Sequence, residues 1–167
     1  DKDGLKNFSK ILIFLILFSC KGQDPLTSAK VEGALGPKFP ELVLNSLSPT
    51  DGQTQVSLKP SIVLNFSSSV VPLSVTVNLN SSFCIGSVQL SKDNFVTCEQ
   101  LVPPIANDVN TSFTISPVYN LSELTYYKIK VTNKIVDTVG YFLSNPYISN
   151  LGFKTLDSTP PSISATF

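Results

Sequence analysis

Tyr126-Tyr127-Lys128-Ile129-Lys130-Val131-Thr132 is the stretch that decides the fold. Apolar and polar residues alternate along it. Tyr127, Ile129 and Val131 fall on one side, and Lys128, Lys130 and Thr132 on the other. Successive side chains of a strand point to opposite faces, so this period of two predicts a strand with one face buried and one wet. The residues are mostly β-branched or aromatic, which suits a pleated, half-buried surface.

The same pattern recurs on both sides of it. Ser61-Ile-Val-Leu-Asn-Phe66 places Ile62, Leu64 and Phe66 inward, and Ser74-Val-Thr-Val-Asn-Leu79 places Val75, Val77 and Leu79 inward. Ser112-Phe-Thr-Ile-Ser116 does so with Phe113 and Ile115. Leu42-Val43-Leu44 with Leu47, Cys84 to Leu90, Asn94 to Thr97, and Leu151-Gly-Phe-Lys-Thr155 are further strand candidates. Ser48-Pro49-Thr50-Asp51-Gly52 is a strong turn signal between the first two. The reading is all-β: about seven short strands separated by turns over residues 41–157, which fit an antiparallel β-sandwich; the resemblance given below implies that it is Ig-like. A domain of that length can bury an adequate core.

Composition narrows the function. Twelve lysines and arginines balance twelve acidic residues. No basic excess or stripe points to nucleic acid, and no nucleic-acid partner is expected. The chain contains no histidine, which excludes serine–histidine and histidine acid–base chemistry from these 167 residues. No nucleophile elbow, phosphate-cradling loop or zinc signature occurs. No catalytic residue, metal ligand or cofactor is therefore assigned. Asp51, Gly52, Asp137 and Gly140 read as turn residues, Asp by capping and Gly by accepting positive φ. A shared calcium ion between Asp137 and Asp51 or Asp157 is the alternative for those carboxylates. Phe66 and Tyr127 read as core, and the Tyr127 hydroxyl is a candidate to return to a backbone group as a corner tyrosine.

The N-terminus carries an address. Lysines at positions 2, 6 and 10 precede Ile11-Leu-Ile-Phe-Leu-Ile-Leu-Phe18, Ser19 and Cys20. Charge, an apolar run and a small residue follow in the order of an export signal, and eight apolar residues are too few to span a bilayer. Leu17-Phe18-Ser19-Cys20 resembles the lipobox of bacterial lipoproteins. The resemblance implies removal of residues 1–19 and acylation of Cys20, hence a membrane partner through an N-terminal lipid. Residues 20–40 contain Pro25, Gly33, Gly36, Pro37 and Pro40 and read as a tether. About 20 flexible residues average on the order of 25 Å end to end.

Cys84 and Cys98 flank thirteen residues. In an exported protein the natural reading is a disulfide, with two free buried thiols as the alternative. Two cysteines without histidine do not complete a zinc shell.

Four pieces together resemble the bacterial Ig-like domain of S-layer and other surface proteins, the SbsA type. They are Ser48-Pro-Thr-Asp-Gly52 with Val56-Ser-Leu-Lys-Pro60, then Ile62-Val-Leu-Asn-Phe-Ser67 with Val70. Phe113-Thr-Ile-Ser-Pro117 with Leu121 and Tyr127 follows, and last Ile135-Val-Asp-Thr-Val-Gly140 with Gly152-Phe153-Lys-Thr155. The Cys84–Cys98 insert is similar to versions in spirochaetal lipoproteins. The resemblance implies a non-catalytic spacer or adhesion module, exported and lipid-anchored to the cell envelope at the outer membrane or cell surface. Its extracellular ligand, protein or glycan, is left open. Asp157-Ser-Thr-Pro-Pro-Ser-Ile-Ser-Ala-Thr-Phe167 reads as a linker into a further strand, so residues 158–167 are expected to lead into another domain of a longer protein. A tandem Ig-like array is the first reading, and an accessory module before a downstream catalytic domain is the second.

Overall fold

The computed structural model describes residues 41–79 and 83–159. Eight short strands and a single 3-10 turn at Pro72–Ser74 make up the regular structure of those residues. One sheet has the order β1 (Leu44–Ser48), β2 (Ile62–Phe66), β5 (Ser112–Ile115), β4 (Ile105–Ala106). The other is built on β6 (Tyr126–Val131), with β3 (Val88–Ser91) on one side and β7 (Tyr147–Ile148) and β8 (Phe153–Lys154) on the other. All ladders are antiparallel, and the two sheets form an all-β Ig-like sandwich.

The alternation in the sequence sets the layers. In β2, Ile62, Leu64 and Phe66 are buried while Val63 and Asn65 are half-exposed, and in β6 Tyr127, Ile129 and Val131 are buried beneath half-exposed lysines. These side chains meet Phe113, Ile115, Leu90 and Phe153 between the sheets. Phe66 meets Phe113 edge-on at 6.0 Å, and Tyr127 stacks with Phe153 at 5.9 Å. Truncating a ring such as Phe113 in so close-packed an interior costs about 3–5 kcal/mol.

The partner of β6 is interrupted. Lys130 pairs with Ile148 and Val131 with Tyr147, whereas Tyr126 pairs with Lys154 and Tyr127 with Phe153. Three steps along β6 thus correspond to five along its partner. The two extra residues bulge out between β7 and β8, and local ladder hydrogen bonds are lost there.

Four sequence expectations change; Cys84 to Leu90, first, shortens to β3, which begins only at Val88. Ser74 to Leu79 is not a strand: Val75 and Val77 are buried as expected, but Leu79 is 61% exposed. Pro72 starts a tight turn there, and the Ser87 hydroxyl accepts the Thr76 N–H in place of a ladder partner, leaving a single bridge from Val77 to Val88. Asn94 to Thr97 is a loop, because Asn94 and Phe95 both take positive φ, which no strand uses. Leu151 to Thr155 shortens to β8, since Gly152 at φ +80° breaks the extended run. The two-residue strands β4 and β7 carry too little pattern to be read from sequence.

The strands have consistent polarity. Leu44 pairs with Phe66 and Ser48 with Val63, so β1 starts at the pole formed by the turn after β2. At that pole Ser67 donates its N–H to Val43 O, Thr138 donates to Ser69 O, and Leu42 bridges Leu143. The other pole gathers residues 49–53, 121–125 and 150–157: Gly52 donates to Gly152 O and Leu124 to Leu156 O. The domain begins at the first pole and finishes at the second. Cys20, the residues read as a signal and as a tether, and the residues after 159 lie outside the described residues.

Candidate functional site

Two aspartates organise the two poles. Asp51 Oδ1 accepts the N–H of Gly152 at 2.6 Å and of Leu151 at 3.1 Å, and Oδ2 accepts that of Asn150 at 3.1 Å. These are the donors that the bulge removes from the ladder. Desolvation, the largest influence, pushes the Asp51 carboxyl upward. The hydrogen bonds from Gly152, Leu151 and Asn150 and the charge of Lys128 together outweigh it and hold the group below its ordinary 3.8.

At the opposite pole Asp137 Oδ1 accepts the N–H of Val139, Gly140 and Tyr141 at 3.0, 2.8 and 2.8 Å, and the Ser68 hydroxyl lies 3.4 Å from Oδ2. Gly140 completes this turn at φ +106°. Asp137 therefore stands at the pole opposite Asp51 and Asp157, and the structure does not bring it together with either. Among the described residues no group of three carboxylates, cysteines or histidines converges on a point that would hold a metal ion.

Tyr127 is buried, and its hydroxyl accepts the Ser122 N–H at 3.0 Å, five residues upstream. Phe66 stays in the core, and Gly52 sits in the turn facing Gly152. Cys84 and Cys98 form a disulfide with Cα atoms 5.1 Å apart. The bridge closes an insert that carries β3 and then folds back over it. Gln89 and Ser91, on the outer side of β3, are buried as a result. Gln89 Nε2 donates to Cys84 O and Gly86 O, and the Ser91 hydroxyl accepts the Phe95 N–H and donates to Asp93.

Asp93 stands just before Asn94 in the disulfide-closed insert. Hydrogen bonds from the Thr97 side chain and backbone, with that of Ser91, pull its carboxyl down to about 2. It locks the loop that presents Phe95. The Asp-Asn pair signals a turn, but nothing local says what the turn covers. Gly152 was legible only as part of a motif; its role in the bulge depends on Tyr127, which is distant in sequence.

The outer face of the β6 sheet gathers the exposed chemistry. Tyr126, Lys128 and Lys130 project from β6, Lys154 from β8 opposite Tyr126, and Ile148 from β7 opposite Lys130. Lys154 Nζ lies 5.5 Å from the Tyr126 ring centre and Lys130 Nζ 5.4 Å from that of Phe95. Lys128 Nζ is 3.5 Å from Asn94 Oδ1. An apolar cavity of about 350 Å³ opens elsewhere, lined by Pro72, Leu73, Val75, Thr76, Val77, Leu79, Pro103, Pro104 and Phe113. None of these described residues is titratable.

Residues 40–155 match the family described as the bacterial Ig-like domain. Similar solved structures include the S-layer protein rSbsC(31-844), at 12% identity and a TM-score of 0.46, covering 77% of this chain and 15% of that one. Domains 1-6 of the surface layer protein SbsC are similar at 13% identity and a TM-score of 0.48, covering 77% and 16%. The N-terminal part of the bacterial S-layer protein SbsC is similar at 15% identity and 0.47, covering 77% and 26%. The chain thus spans a quarter or less of the length of most of these relatives. No curated protein matches it. With 40–155 of its 167 residues accounted for by one family, this chain belongs to the bacterial Ig-like domain family.

Proposed function

We propose that the protein is a lipid-anchored, non-catalytic module of the bacterial cell envelope, serving as a spacer or as an adhesion unit. One observation carries the spacer role. The domain begins at one pole and finishes at the other, so whatever follows it is held a full domain length from whatever precedes it. A module of this kind suits a series of similar domains. Support for the anchor comes from the sequence alone: Cys20 behind Ser19 and the apolar run, followed by the residues read as a tether. Acylated there, the chain is exported and held at the outer membrane or cell surface.

The test is expression of the full chain in a bacterial host fed a labelled fatty acid. Wild type is expected to incorporate the label and enter the detergent phase. Cys20→Ala is expected to lose the label and appear in the aqueous phase. Label or detergent partition retained in Cys20→Ala overturns the anchor.

A further inference from the structure

We infer that the outer face of the β6 sheet binds an anionic polysaccharide. This inference gives the adhesion reading of the proposed function a ligand class and rests on that reading; it does not need the lipid anchor.

Residues 41–159 carry six lysines against eight carboxylates, so the domain as a whole is not basic. Three of those six lysines, Lys128, Lys130 and Lys154, nevertheless share one sheet face. No strand of that sheet contributes an aspartate or glutamate. Asp51, on which the charge of Lys128 acts, is engaged on the N–H groups of residues 150–152, and Asp93 on Thr97 and Ser91. The three ammonium groups rest instead on neutral partners, the Tyr126 ring, the Phe95 ring and the Asn94 amide oxygen. Among the described residues none of the three is in an ion pair, and such a row of cations complements a row of anions.

Geometry then selects the class. Lys128 and Lys130 are two residues apart on one strand, about 7 Å along it. Lys154 continues the row from the neighbouring strand. The row follows the side of the sandwich from one pole towards the other, which suits a linear polymer laid along the strands. Tyr126 is 51% exposed and Ile148 55%, so apolar surface flanks the cations. Sugar rings offer C–H surface to such apolar groups, while their carboxylate, sulfate or phosphate groups meet the ammonium groups.

The disulfide insert belongs to the same device. Its closed loop lies over β3 and brings Phe95 under Lys130. Asn94 and Phe95 hold positive φ to do so, an uncommon conformation for residues other than glycine.

The experiment is calorimetric titration of the purified full chain with polygalacturonate, dextran sulfate, neutral dextran and vesicles of phosphatidylglycerol. Binding to polygalacturonate and dextran sulfate, weakening with added salt, is expected, with none to neutral dextran. The Lys128→Gln, Lys130→Gln, Lys154→Gln triple variant keeps the stems that pack on the sheet, and is expected to bind about tenfold or more weakly. Phe95→Leu with Tyr126→Leu is expected to weaken binding to polygalacturonate while leaving its salt dependence unchanged. No binding to either polyanion, or full binding by a folded triple variant, overturns the inference. Vesicle binding without polysaccharide binding assigns the face to a lipid surface and also overturns it. In each case, fatty-acid labelling at Cys20 reports on the anchor independently.

Discussion

The Asp51 carboxylate accepts the Gly152 N–H at 2.6 Å across 101 positions of sequence. A turn residue after β1 thereby supplies the hydrogen bonds missing from a bulge between β7 and β8. Asp51→Ala removes the acceptor for three neighbouring N–H groups. The site is open to water, so the loss is partial, about 1–2 kcal/mol. Urea unfolding is expected to show the shift, with faster amide exchange at residues 150–152. Asp51→Asn keeps one acceptor oxygen and is expected to fall between the two.

Gly152 and Gly140 both have positive φ, yet their surroundings differ. A Cβ on Gly152 would lie 2.3 Å from Tyr127 O, whereas one on Gly140 meets nothing within 4 Å. Gly140→Ala carries only backbone strain, about 1–2 kcal/mol. Gly152→Ala must also push β8 off β6, and is expected to cost more than about 3 kcal/mol or to prevent folding. Equal melting temperatures for the two variants would count against the account of the bulge.

The Cys84–Cys98 bridge closes a loop with a sequence separation of 14. Its removal in a Cys84→Ser, Cys98→Ser double variant is expected to lower stability by about 3 kcal/mol. Mass analysis of the unreduced protein is expected to find no free thiol at either position. Unchanged stability in the double variant would show that the insert holds itself without the bridge.

Acid should weaken the domain in a defined window. Asp93 is depressed from 3.8 to about 2, and Asp51 and Asp157 are depressed as well. A carboxyl lowered in the folded state favours folding above its unfolded value, because there the unfolded chain gains nothing by protonation. As pH falls from about 4 towards 2, the unfolded chain binds protons first and stability is lost. Thermal melts are expected to be insensitive to these groups above about pH 5 and to drop through that window. Asp93→Asn is expected to flatten the drop.

How much of this was legible depended on how local each cause is. The β6 alternation exposed both its buried side and its lysines, because a period of two needs only neighbours in sequence. Ile62, Leu64 and Phe66 were legible for the same reason. Leu79 was misplaced because alternation continues past Val77 while no strand among the described residues pairs with it. The turns at Gly52 and Gly140 were legible from residue type. The destination of Asp51 was not: its partners lie about a hundred residues away, and a capping aspartate carries no mark of what it caps. Phe95 beneath Lys130 was hidden likewise, since only the folded insert brings them together.

The passage of the domain from pole to pole also fixes how it would carry load. A pull on the two ends runs lengthwise along β1 and β8, so their ladders with β2 and β6 are stressed in shear, with their hydrogen bonds loaded together. Peeling, which breaks bonds singly, would need both ends at one pole. Asp51 clamps the far end of β1 to the approach to β8. Single-molecule stretching of the full chain should therefore show one high-force rupture for this domain, and Asp51→Ala should lower it; gradual low-force extension would contradict the shear geometry.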